Sequence, residues 1–229
     1  MFSIDASRGK CDQCGRSECN CKIAQTTAAC MGEFTERLAQ IHQCVNGDGQ
    51  RNLRNILKTC REMLQDRGFP NVTEFALEDE NNTLGLVMEG CDCNDGDEKI
   101  HVHICTEDRV GVKFARSVSE DAQSTRCIVI SIDGPTPFTR KECNSIQFFT
   151  AIELCMNVTR HCLVPLHTKI QASELPNGMS VDTLPRILES DRIVQYYNWP
   201  CGTVVKIKRV FGGYEPINYF RVVVAVGMV

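Results

Sequence analysis

The hydrophobic period of this chain changes along its length, and each change restricts the backbone that can follow. Met31, Phe34, Leu38, Ile41 and Val45 recur at steps of three and four, and so do Leu53, Ile56, Leu57, Cys60 and Leu64. Both sets lie on one stripe of a helix, so two amphipathic helices are expected, separated by Asn46-Gly47-Asp48-Gly49. Gly68, with Pro70 beyond it, is a stop signal for the second. The period then falls to two. Ile100, Val102 and Ile104 alternate with His101, His103 and Cys105, which predicts a strand with one buried face. The unbroken run Cys127-Ile128-Val129-Ile130-Ser131-Ile132 predicts an interior strand. Gly111 to Val118 fits either a helix or a strand. Asp133 to Pro137 reads as a turn, Phe138 to Ile146 as a short helix, and Thr150 to Thr159 as a mixed apolar strand. Alternating helices and strands make residues 25–158 an α/β domain, preceded by a Cys-rich extension, residues 1–24.

From residue 159 the pattern is different again. Thr203 to Arg209 and Tyr219 to Ala225 are β-rich and joined through Phe211-Gly212-Gly213-Tyr214, a hairpin with a long loop. Asp191 is placed to cap a short helix, Arg192 to Tyr197, whose apolar positions would pack on the hairpin. Residues 159–229 therefore read as a small α+β module.

With 229 residues, 42% of them hydrophobic, the chain can bury a core. It has no apolar run of about 18 residues and opens without a basic flank and apolar core of signal-peptide type, so a soluble intracellular protein is expected, with no membrane partner. Its 15 cysteines are an odd number set mostly in apolar segments, so Cys60, Cys105, Cys127, Cys155 and Cys162 are expected as small buried side chains. Net charge is −4, unevenly spread: seven basic against five acidic residues from 161 onward, and 18 against 24 before it. Tight binding of DNA by the chain alone is not expected, because phosphate binding needs clustered cations.

Three phrases dominate the last 69 residues: His161-Cys162-Leu163-Val164-Pro165-Leu166-His167, then Leu184-Pro185-Arg186-Ile187, then Gly202-Thr203-Val204-Val205-Lys206-Ile207. With Asp191, Tyr196 and Arg221 they resemble the C-terminal assembly module of the fifth shared subunit of nuclear RNA polymerases, a module that in archaea makes up a whole small polymerase subunit. Weaker likeness extends towards residue 25, at Arg61 to Phe69, Val110 to Lys113 and Phe148 to Ala151. The resemblance implies an N-terminal α/β jaw domain, nuclease-like in fold without the activity, and a small α+β assembly module. It implies a non-catalytic subunit in the nucleus, or the nucleolus if dedicated to the ribosomal RNA polymerase. Its partners would be the largest polymerase subunit, neighbouring core subunits and downstream duplex DNA, with no small-molecule substrate. The assembly interface would draw on His161, Val164, Pro165, His167, Leu184, Pro185, Arg186, Ile187, Val205, Lys206 and Arg221. Two departures stand out. Pro176 and Gly178 interrupt the segment where the family has a charged helix, so that helix is expected to be shortened or lost, and Val210-Phe211-Gly212-Gly213 alters the hairpin tip.

Other constellations carry less. His161 and His167 flank Pro165, and orienting a turn through backbone hydrogen bonds suits them better than metal ligation. Glu89 to Glu98 is acidic but out of register for a calcium loop, so a solvated loop between strands is expected. Asp133 with Lys141 lacks the second carboxylate that a metal-dependent nuclease needs, so no catalytic residue and no required cofactor are expected. Cys11, Cys14, Cys19 and Cys21 can supply four thiolates to a zinc ion, although the last pair is tight for that geometry. An adaptor that kept the assembly module and gained a zinc-binding N-terminus is the alternative reading. Metal analysis of the purified chain separates the two uses of the cysteines: zinc at one equivalent, lost in Cys14→Ser, is the outcome of a site, and no zinc in either protein excludes it.

Overall fold

In the computed structural model the described residues are 49–78, 84–91, 99–105, 109–121, 126–210 and 215–227, together with Glu36. The expected first helix, Gln25 to Val45, and the cysteine cluster from Cys11 to Cys21 lie outside them, as does the hairpin tip Phe211 to Tyr214. The chain divides between Met156 and Asn157 into two compact units.

The first unit opens with α1, Gly49–Asp66. Ile56, Cys60, Met63 and Leu64 are fully buried, while Leu53 and Leu57 are only half-buried. The apolar stripe is therefore centred closer to Cys60 and Met63 than its leucines suggest. The helix ends as a Schellman turn: Gly68 takes φ +100°, its N–H donates to the Gln65 carbonyl at 3.0 Å, and Phe69 N–H reaches Leu64 at 2.9 Å. A residue with a Cβ is strained at that φ, and Phe69, buried, supplies the apolar contact that usually accompanies the motif.

Five strands follow: β1 Asn71–Glu78, β2 Leu84–Cys91, β3 Lys99–Ile104, β4 Arg126–Ser131 and β5 Ile146–Thr150. They form one sheet in the order β1-β2-β3-β4-β5, antiparallel from β1 to β3 and parallel from β3 to β5. Parallel neighbours need crossover connections. Between β3 and β4 this is α2, Val112–Asp121, which settles the ambiguous Gly111–Val118 stretch as a helix; between β4 and β5 it is α3, Pro137–Glu142.

The sheet is covered on both faces. Cys105, Cys127, Val129 and Ile146 pack with Val110, Ala115, Val118 and Cys143. Ile100, Val102, Ile104, Ile128 and Ile130 point the other way and are almost fully buried, each contributing about 1.5–3 kcal/mol. On that side Arg67, just past α1, donates to Gln147 of β5 at 2.9 Å. The single buried face expected for β3 is thus corrected: β3 lies between β2 and β4, so helices close over both sides and His103 becomes 7% exposed. Its imidazole is held neutral, with the pKa lowered to about 4, first by desolvation and then by neighbouring His101.

Four further expectations are corrected. The strand placed at Thr150–Thr159 lies earlier, at β5, and Thr150 instead starts a one-turn helix, α4, Ala151–Leu154. Glu153 accepts from Thr150 N–H at 2.8 Å and stops the strand there. The short helix expected through Ile146 ends at Glu142, and Ile146 opens β5. Glu89, Gly90 and Cys91 belong to β2 rather than to a loop. Of the cysteines, Cys60, Cys105 and Cys127 are buried, but Cys155 is half-buried and Cys162 exposed.

The second unit is a four-stranded sheet in the order β6-β8-β9-β7, with β6 Leu166–Ile170, β7 Arg186–Leu188, β8 Val204–Arg209 and β9 Ile217–Val224. The predicted hairpin is its centre. One helix, α5 Arg192–Tyr197, joins β7 to β8. No α-helix stands between His167 and Leu184, only the 3-10 turns Ala172–Glu174 and Val181–Thr183, as the interrupting Pro176 and Gly178 lead one to expect.

Because His103 is neutral when folded and titrates near 6.5 when unfolded, the unfolded chain binds the extra proton as pH falls. Its contribution is complete above pH 6.5 and is lost between there and about pH 4, a destabilisation of up to about 3 kcal/mol. Chemical denaturation of His103→Leu across this range should show a flatter pH profile than the unmodified protein; an unchanged slope would refute the assignment.

Candidate docking surface of the C-terminal unit

The surface is organised by the register of the hairpin. Val204 pairs with Val222, Val205 with Arg221, Lys206 with Phe220 and Ile207 with Tyr219. Paired residues share a face, so Val205, Ile207 and Arg209 lie with Val223, Arg221, Tyr219 and Ile217. Strand β6 adds His167 opposite Ile207 and Lys169 opposite Val205, and β7 adds Ile187 opposite Val223. On this face Val194 of α5 and the half-buried Trp199 join Val205, Ile207, Val223 and Ile187 in one core.

Helix α5 is fixed at both ends. The Asp191 carboxylate accepts from Ile193 N–H at 2.9 Å, and Asn198 turns the chain at φ +53°, a left-handed conformation that asparagine tolerates better than most residues. Tyr196 is buried, and its hydroxyl accepts from Asn157 Nδ2 at 3.1 Å. The Asn157 carbonyl meanwhile accepts from Thr159 N–H at 2.9 Å and from the Thr159 hydroxyl at 2.7 Å. This lock ties the start of the unit to its helix. Behind it, Tyr197 and Trp199 stack with ring centroids 4.6 Å apart and planes within 8°.

The two histidines do what the turn requires. Leu163 N–H donates to His161 Nδ1 at 3.2 Å, and His167 Nδ1 donates to the Pro165 carbonyl at 2.7 Å. A carbonyl only accepts, so the His167 proton sits on Nδ1 and Nε2 keeps its lone pair. Burial lowers the His167 pKa; the Pro165 contact and Asp191 oppose this, and Arg209 and Arg221 add to the lowering.

The residues singled out in the sequence divide into two groups. Leu184, Ile187 and Val205 are 7%, 8% and 0% exposed: they are core, and support a surface from beneath. His161, Val164, Pro165, His167, Lys206 and Arg221 are half-buried, and Pro185 and Arg186 exposed. Backbone contacts hold the loop before β7, since Val222 N–H donates to Pro185 O at 3.1 Å and Arg221 Nη1 to Arg186 O at 3.0 Å. Sequence reasoning missed four contributors: Lys169, Tyr219, Arg209, whose guanidinium lies 5.3 Å from the Tyr219 ring centre, and the Asn157–Tyr196 lock. Register places the first three on one face of the sheet, and no local pattern announces it.

In the first unit, Asp133 follows β4 as an exposed residue 3.7 Å from Arg109, and Lys141 is exposed on α3. The turn around them is packed for structure: Gly134 N–H donates to the buried Ser131 hydroxyl at 3.0 Å, Thr139 donates to Val110 O at 3.1 Å, and a Cβ on Gly134, at φ +80°, would come 3.3 Å from Thr150.

Residues 156–223 match the family model described as the C-terminal domain of RNA polymerase Rpb5. Beyond that module, the chain is 30% identical over 176 residues to subunit rpabc1 of DNA-directed RNA polymerases I, II and III from Dictyostelium discoideum, covering 69% of this chain and 89% of the relative. RPABC1 of the same three polymerases from Caenorhabditis briggsae is 26% identical over 186 residues, covering 69% and 88%. Subunit 5A of RNA polymerase V from Arabidopsis thaliana is 28% identical over 169 residues, covering 64% and 76%.

Tyr196→Phe leaves the ring packed and removes the hydrogen bond from Asn157 Nδ2, so unfolding of the unit should cost about 1–2 kcal/mol less. Asp191→Ala, which removes the helix cap, should lower stability by about 1 kcal/mol. Denaturant titration followed by Trp199 fluorescence measures both; a Tyr196→Phe protein as stable as the parent would remove the lock from the account.

Proposed function

Because this chain belongs to the Rpb5 family of RNA polymerase subunits, we propose that it serves a nuclear DNA-directed RNA polymerase as a structural, non-catalytic component. Chemistry of phosphodiester bond formation then belongs to other chains, and this one supplies shape and contacts. The observation that carries the reading is the C-terminal unit, in which the matched residues form a buried core, a capped helix and a registered hairpin. Rigid backbone is what a docking module needs, because ordering a loose surface on binding subtracts from affinity.

In this reading the C-terminal unit docks on the largest polymerase subunit and touches neighbouring core subunits. Arg186, Lys206 and Arg221, with His161, Val164, Pro165, His167 and Pro185, are accessible for contact, while Leu184, Ile187 and Val205 keep the surface in shape. The N-terminal unit acts as the jaw beside downstream duplex DNA. Its acidic balance suits a wall of the cleft held in place by partners better than an independent DNA clamp. The alternative of an adaptor that retained only the module is less well supported, because the likeness to rpabc1 extends over 176 residues, well beyond the 156–223 match.

Zinc on Cys11, Cys14, Cys19 and Cys21 remains an addition to this role and not a condition of it. One relative is named for polymerase V and others for polymerases I, II and III, so the enzyme served is read from the largest subunit that accompanies the chain, including a nucleolar location if that is the ribosomal enzyme.

Affinity purification on a tag carried by this chain should recover the two large catalytic subunits at moderate salt, in a particle of several hundred kilodaltons on size exclusion. Elution of the chain alone would overturn the proposal.

A further inference from the structure

Strand β6 is the place where the C-terminal unit is left unfinished. It pairs with β8 on one side, and among the described residues nothing hydrogen-bonds to the backbone of its other side. An edge strand presents alternate N–H and C=O groups outward, ready to pair with another strand. The usual protections are a bulge, a proline, a very short strand or a charge on the edge. Within Leu166–Ile170 only Lys169 is of that kind. Leu166 is 63% exposed, and Leu163 just before it 83%, which a strand built to repel neighbours would not display.

The two faces of β6 differ in chemistry. Leu166, Thr168 and Ile170 share one face, in register with Lys208, Lys206 and Val204. His167 and Lys169 share the other, in register with Ile207 and Val205, beyond which lie Tyr219 and Arg221. Arg209 belongs to this second face, and the acid that approaches His167, Asp191, is committed to capping α5. A strand laid against β6 would therefore meet Leu166 and Ile170 on one side and Lys169 on the other, with Lys206 and Lys208 behind the first and Arg209 and Arg221 on the face of the second.

We propose that β6 takes up an extended segment of a neighbouring polymerase chain as a fifth strand, with apolar side chains beside Leu166 and Ile170 and an acidic one beside Lys169. The inference rests on the docking role and adds its chemistry: backbone pairing supplies the attachment, and alternation of acidic and apolar residues supplies the choice of segment. Charge complementarity favours an acidic strand. An opposite charge beside Lys169 stabilises the pair, and a like charge there opposes it.

Amide hydrogen exchange of the full-length chain, alone and within the purified polymerase, tests this. The outward amides of 166–170 should exchange at least about tenfold more slowly in the particle. Lys169→Glu, on an exposed side chain, should lower the share of the variant in the particle about fivefold in competition with the unmodified chain, and Lys169→Arg should not. Failure of the chain to co-purify with the large subunits would remove the docking role and this inference together. Recovery in the particle with unchanged exchange at 166–170 would overturn the inference alone. Protection that vanishes after nuclease digestion would also overturn it, since nucleic acid would then be the cover.

Discussion

Pairing of β8 with β9 decides what the rest of the C-terminal unit can be. Side chains alternate along a strand, so sliding β9 by one residue would turn Val223 outward and bring Val222 and Phe220 under α5, with Arg221 losing its hold on the Arg186 carbonyl. Strands β6 and β7 read the same register from the hairpin's two edges. His167 meets Ile207 on β8 and Ile187 meets Val223 on β9, and the two pairs share one face only while Val205 faces Arg221. The core of Ile187, Val194, Val205, Ile207 and Val223 is thus both product and guarantor of the alignment, because any slip exposes it.

The first unit answers a different constraint. A sheet with parallel strands must be crossed by its own connections, and α2 and α3 pack where those crossings fall. Burial on both faces follows, and it converts His103 from the polar side of a strand into an interior group whose charge is suppressed. The same arrangement gathers Val110, Gly134, Thr136 and Thr139 into one hydrogen-bonded turn and leaves Asp133 outside it, paired with Arg109.

What could be read in advance depended on how far apart the interacting residues lie. The helix Arg192–Tyr197 was legible because Asp191 is its own start signal, and the Cys127–Ile132 strand because six residues declare it. Strand β7, three residues long and paired in parallel with β9 about forty positions later, has no local signature. Nor has β6, whose Leu-His-Thr-Lys-Ile alternation is too weak to register without its partner. Reading Leu184, Ile187 and Val205 as surface contacts rested on family motifs, and motifs do not distinguish a residue that touches a partner from one that holds up those that do. Apolar residues through Leu154 resemble a strand that begins at Thr150, but Glu153 closes a helical turn on Thr150 there.

Only the hairpin in the C-terminal unit joins near neighbours in sequence. Both flanking strands reach it across about forty residues of chain, and each closure costs conformational entropy that is recovered only when the core is complete. Such a topology has high contact order, and its parts have little reason to persist separately. Interruption of β9 would remove the support of β7 and the second partner of β8 at once, so the unit is gained or lost whole. A cell that clears unassembled chains would then see a sharp distinction: a finished unit offering its surface, or an unfolded tail, with little in between.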